Sequence, residues 1–147
     1  MHRSVLSFVF AALIFAPLTA AAADLEIVDA ETLRVGPCSH QLRFGVTYTL
    51  DGADNDTKAG PLNYRIGVYS ATRKALLFST DVRDHKPGET RAIFVPADKL
   101  VCDNKIEVRV DDENRVTERN RKNNVAHESW TAPNKTGFCM SQLEKCP

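Results

Sequence analysis

Four cysteines, two acidic turns and one basic run carry the chemistry open to this 147-residue chain. Cys38, Cys102, Cys139 and Cys146 can serve as metal thiolates or as halves of disulfides. No pair stands as CxxC, and His40, His85 and His127 fall in separate segments, so the spacing does not suit a structural zinc site. Disulfides are the expected use, with three pairings open. The short spacing of Cys139 and Cys146 favours a local bridge there and leaves Cys38 to Cys102 as the long one. On the chain-entropy account the long loop contributes about 4 kcal/mol and the short one about 2 kcal/mol. Asp51, Asp54, Asn55 and Asp56 form one acidic cluster, and Asp111, Asp112 and Glu113 another. Both offer the hard oxygens that Ca²⁺ takes. The first cluster lacks the ligand order, glycine and distal glutamate of an EF-hand, so solvated turns are expected, with Ca²⁺ the single cofactor worth testing.

Arg115, Arg119, Arg121 and Lys122 make the opposite patch, suited to phosphates or acidic glycans. Glu113 and Glu118 interrupt it and no aromatic residues interleave, which argues against nucleic acid as a partner. For catalysis, Ser39-His40, His85 and His127-Glu128-Ser129 supply residue types without a motif: no GxSxG elbow and no HExxH helix is present. Neighbours in a strand point to opposite faces, so His127 and Glu128 do not form a local dyad. No catalytic residue is assigned.

The elements that must position these groups start after a leader. His2 and Arg3 form a positive head, Val5 to Leu18 is almost unbroken apolar sequence, and Ala21-Ala22-Ala23 offers an A-x-A cut before Asp24. Residues 1–23 therefore read as a signal peptide, too short to span a bilayer comfortably, and the expected destination is the periplasm or the cell exterior. The remaining chain suits one domain with a modest core. Nineteen basic and nineteen acidic residues give no long-range field for nucleic acid or an anionic membrane, and no second apolar span appears.

From His40 to Leu50 the sequence alternates, with Leu42, Phe44, Val46, Tyr48 and Leu50 on one face. Leu62 to Val68 and Ile106 to Val110 repeat that pattern. Shorter strands are predicted at Leu25 to Val28, Leu33 to Val35, Ala75 to Thr80, Thr90 to Val95 and Val125 to Trp130, separated by polar, glycine-rich turns. About seven half-buried strands need a second layer, so the expected fold is all-β: an immunoglobulin-like antiparallel sandwich of two sheets over residues 24–132. Residues 133–147 hold Phe138, Met140 and Leu143 beside Cys139 and Cys146, and are expected to form a disulfide-closed C-terminal appendage over a sandwich end or edge.

The run Val110-Asp111-Asp112-Glu113-Asn114-Arg115-Val116-Thr117-Glu118-Arg119-Asn120-Arg121-Lys122-Asn123-Asn124 resembles the CARDB-type domain, a bacterial immunoglobulin-like module related to cell adhesion. Asp111, Asn114, Val116, Glu118, Asn120, Asn123 and Asn124 match the family pattern, whereas Arg121 stands where an acidic residue is usual. Asp24-Leu25 and Pro87-Gly88-Glu89-Thr90 add support. The resemblance implies a non-catalytic scaffold. Asn114, Glu118, Asn120, Asn123 and Asn124 are expected to brace the loop before the last strand. Arg115, Arg119, Arg121, Lys122, Trp130 and Phe138 are the residues offered to a protein or glycan partner. An inhibitor that inserts a loop into a cleft and an enzyme of unrecognised class are the two alternatives.

Overall fold

The computed structural model describes residues 22–36, 40–51, 60–103 and 105–129. Seven strands are present: β1 Ala22–Arg34, β2 His40–Asp51, β3 Leu62–Ser70, β4 Leu76–His85, β5 Thr90–Val95, β6 Lys105–Val110 and β7 Val125–Ser129. They form a three-stranded sheet ordered β1-β2-β5 and a four-stranded sheet ordered β4-β3-β6-β7, antiparallel at every pairing. This is the all-β two-sheet arrangement that the alternating pattern implies. Among the described residues no helix is long and apolar enough to cross a membrane.

The core follows from the period of two. Leu42, Phe44, Val46 and Tyr48 of β2 are fully buried and face Tyr64, Ile66 and Val68 of β3 and Ile106 and Val108 of β6. Leu25 completes the inner face from β1, while Leu100, between β5 and β6, and Val116, between β6 and β7, cover the two remaining gaps. Burying a side chain of this size contributes about 1.5–3 kcal/mol, so the inward row of β2 alone outweighs any single surface contact.

On the outer face, Gly67 makes room for a crossing ring. A Cβ there would lie 2.6 Å from Cε2 of Tyr69 and would also meet the Asp112 carboxylate. Tyr69 thus lies across the strand, its hydroxyl donating to Oδ2 of Asp112 at 2.8 Å and its ring carrying the Arg109 guanidinium at 4.5 Å.

The disulfide part of the expected architecture is not found. No disulfide bond closes a C-terminal appendage among the described residues, and Cys38, Cys139 and Cys146 lie outside them. Cys102 is not a free thiol, yet no bridge is complete within the described chain. Packing closes the sandwich beside Cys102. Leu100 is wholly buried two residues before Cys102, and the Arg73 guanidinium grips the buried Asp103 carboxylate one residue after it, at 3.3 Å and 2.5 Å. That pair ties the β3–β4 turn to the segment entering β6.

Candidate functional site

The fifteen-residue run that carries the family resemblance is the β6–β7 connection, and its shape starts at Asp111. This residue has φ of 50°, the left-handed region that Asp and Asn tolerate better than other side chains. Its side chain is fully buried, and its two oxygens accept the N–H of Arg115 at 2.8 Å and of Val116 at 3.0 Å. The carboxylate therefore replaces strand pairing for two backbone donors that have turned away from the sheet. Asn114, at φ of 54°, closes the turn with its N–H on the Asp111 carbonyl.

Glu118 ties the far half of the connection to β1. Its Oε2 accepts the Leu25 N–H at 3.0 Å and its Oε1 accepts from Nδ2 of Asn124 at 2.7 Å. Burial pushes the Glu118 carboxyl above the usual carboxylate range, and these two donors offset part of that penalty. Beside it, the Arg119 N–H donates to the Ala23 carbonyl, and Nδ2 of Asn123 donates to Oδ1 of Asp24 at 3.0 Å. Asn120 accepts the Lys122 N–H at 3.1 Å. The connection is thus stitched along the edge of β1, which leaves that strand without an open edge at its start.

The basic residues part company. Arg121 reaches back, donating to Oδ1 of Asn114 and to the Val116 carbonyl, with the Asp111 carboxylate 3.5 Å away. Arg115 pairs with Oε2 of Glu113, whose Oε1 accepts from Arg65 at 2.7 Å. Lys122 is exposed. Trp130 and Phe138 lie outside the described residues, as do Asp54, Asn55 and Asp56 and the side chain of Asp51.

The second acidic cluster is mostly spent on protons of this chain, with Oδ1 of Asp112 buried and without a hydrogen-bond partner among the described residues. Both Asp111 oxygens take backbone N–H groups, Oδ2 of Asp112 takes the Tyr69 hydroxyl, and Glu113 takes two guanidiniums. Among the described residues no group of three His, Cys, Asp or Glu is arranged to hold a metal ion. The histidines are equally dispersed. His85 is buried between the sheets, and His127 is exposed on the outer face of β7, 3.8 Å from Glu107. Asp24 and the Leu25 N–H, a pair the sequence marks, complete the loop's network with Arg65 and Tyr69, which do not stand out in the sequence; strand register brings all four within reach.

No protein-family model matches the chain, and no curated protein matches it. Among solved structures it resembles the CARDB domain of a Pyrococcus furiosus protein, crystallised in complex with di-metal ions. The two share a TM-score of 0.52 and 21% identity over 76% of this chain and 96% of that one. The chain has a CARDB-type fold. The likeness in structure agrees with the resemblance carried by the β6–β7 connection.

The division of labour within a CARDB-type connection can be measured. Glu118→Ala and Asn123→Ala are expected to cost about 1–3 kcal/mol each, because each leaves a partner on β1 without its bond. Lys122→Ala should stay within about 0.5 kcal/mol, as an exposed charge does. Urea unfolding of the three variants checks this, and three equal losses would refute the division.

Proposed function

We propose that the protein is a non-catalytic binding module of the periplasm or cell exterior that presents the β6–β7 connection as a preformed surface to a protein or glycan. The observation that carries this reading is the stitching of that connection. Asp111 and Glu118 commit both carboxylate oxygens, and Asn123 its Nδ2, to loop and β1 partners, so the loop's shape is set before any partner arrives. A loop that is ordered in advance loses less conformational freedom on binding, which favours recognition. The outer groups Arg115 and Lys122 then face solvent on a fixed support.

An enzyme reading would need titratable groups converging in a cleft. Instead, His85 sits inside the sandwich and His127 on an outer face, while Asp111 is saturated by backbone donors. An inhibitor reading would need a protruding loop. Val116 is buried under the connection and Arg119 is bonded to Ala23, which hold it flat along the domain.

The test is an NMR titration of the exported protein with envelope polysaccharide and, separately, with secreted-protein fractions. Amide shifts in residues 111–124 are expected with one of the two. Shifts confined to the outer face of β1-β2-β5, or breakdown of the added polysaccharide, would overturn the reading.

A further inference from the structure

We infer that a groove between the β6–β7 connection and the outer face of β3 and β4 binds an acidic oligosaccharide, with Arg83 and Arg115 meeting its anionic groups. This rests on the binding-module reading and names the ligand class and the place.

Two adjoining hollows of about 330 Å³ each share Asp81 and Arg115 as walls. Arg65, Ser79, Thr80 and Glu113 complete the first, and Asn63 and Arg83 are in the second. Strand register explains the composition: Ser79, Asp81 and Arg83 alternate along one face of β4, and Arg65 of β3 stands directly beside Asp81. The loop supplies the opposite wall. Glu113 is forked between Arg65 and Arg115, so one carboxylate fixes two guanidiniums on either side of it. The side chains of Arg83 and Asp81 have no hydrogen-bond or ion-pair partner among the described residues.

Arg65 is held by Glu113 and lies 3.7 Å from Asp112, Arg115 is held by Glu113, and Arg83 is the guanidinium left uncommitted. A guanidinium holds a carboxylate or sulfate through two parallel hydrogen bonds. Asp81 accepts hydroxyl protons, Ser79 can donate or accept, and Asn63, whose Oδ1 takes the Asp84 N–H at 2.9 Å, keeps its amide donors. Anion-holding and hydroxyl-holding groups interleaved along one groove are what a chain of acidic sugars requires. An acidic peptide brings carboxylates towards Asp81 and Glu113 and offers no row of hydroxyls in exchange. A nucleic-acid strand would need exposed aromatic faces for its bases, and Tyr64, the aromatic side chain that touches the groove, is buried.

The experiment is calorimetric and NMR titration of the exported full chain with a hexamer of uronic acid, a glucose hexamer of equal length and a glutamate hexamer. The uronic hexamer should bind at least tenfold more tightly than either other probe and weaken as salt rises. Arg83→Ala and Arg115→Ala should each lower that affinity three- to tenfold without moving the melting temperature, and Lys99→Ala should not change it. Preference for the glutamate hexamer would overturn the inference, and so would loss of affinity in Lys122→Ala with Arg83→Ala unchanged. Both of those results leave the recognition reading standing. Failure of every probe overturns the inference, and failure of envelope polysaccharide and secreted proteins to shift residues 111–124 as well removes the recognition reading with it.

Discussion

Replacing Asp111 by alanine is expected to remove about 3–5 kcal/mol of stability, a large share of what a domain of this size possesses. Two effects add. The Arg115 and Val116 N–H groups lose their acceptor, and the second of these bonds is buried, so each orphaned donor costs about 1–3 kcal/mol. Alanine must also hold φ of 50°, a conformation that Asp tolerates better because its short side chain bonds the local backbone. Asp111→Gly separates the two, because it relieves the backbone and still lacks the oxygens. It should recover about 1 kcal/mol of the loss and no more. Hydrogen exchange at Arg115 and Val116 should accelerate in both variants ahead of global unfolding. An alanine variant within about 1 kcal/mol of the natural protein would show that water serves those donors and that Asp111 does not organise the connection.

The strands were legible where one face is buried and the other wet. β5 falls on the predicted Thr90 to Val95, and β2 extends one residue past the predicted end, because Leu42, Phe44, Val46 and Tyr48 declare a single inward face. β1 reads in the sequence as two short pieces. It is one strand with a register shift between Val28 and Glu31, where Asp29 adopts φ of 51°, and a bulge of this kind erases the period that would reveal it. β4 runs five residues beyond the predicted end at Thr80, since Asp81, Arg83 and Asp84 look like turn material. They are exposed residues of an edge strand, where charge discourages pairing with another chain.

In the candidate site, a spacing can nominate Glu118 and Asn123 but cannot say what they touch. Their partners, the Leu25 N–H and Asp24, are more than ninety positions away along the chain. Arg121 illustrates the same limit from the other side. In sequence it belongs with Arg119 and Lys122, yet the turn built on Asp111 and Asn114 places acceptors within its reach, and it folds inward. The expectation of a disulfide-closed C-terminal appendage failed for a related reason. Cysteine count and the expected export say that bridges are permitted; they do not say which segment a bridge closes, and Cys102 stands beside an end of the sandwich already packed by Leu100 and the Arg73–Asp103 pair.

The second large effect concerns His85, which has no exposed surface and joins the sheets at the β4–β5 end. Its Nδ1 lies 2.8 Å from the Tyr64 hydroxyl and its Nε2 lies 3.0 Å from the Glu89 carbonyl. A carbonyl only accepts, so Nε2 carries the proton. Nδ1 of the neutral ring then accepts from Tyr64, and both ends of the imidazole are satisfied. Protonating Nδ1 would break that arrangement inside an apolar shell; burial accordingly holds the His85 pKa below its ordinary 6.5, with Arg91 pushing the same way and the Glu89 carbonyl opposing. The sign follows. Above pH 6.5 both folded and unfolded chains hold a neutral histidine, and its contribution is fully present. As pH falls below 6.5 the unfolded chain takes up the proton first, so stability is lost at up to about 1.4 kcal/mol per pH unit until the folded-state pKa is reached. Glu118, whose pKa is raised, works in the opposite sense, stabilising the fold as pH falls towards 4.5. His85→Gln removes the titration and leaves Glu118 in place, so the difference between the two proteins isolates the histidine. The natural protein should lose about 1 kcal/mol more than His85→Gln between pH 7.5 and pH 5.5 in urea unfolding. His85→Ala, which opens a cavity and strips Tyr64 of its acceptor, should cost about 2–4 kcal/mol already at pH 7.5. Parallel pH profiles for the natural protein and His85→Gln would mean that folding leaves the His85 pKa at its unfolded value, and a relative gain for the natural protein as pH falls would mean that the ring is protonated in the fold, with Nδ1 donating to Tyr64.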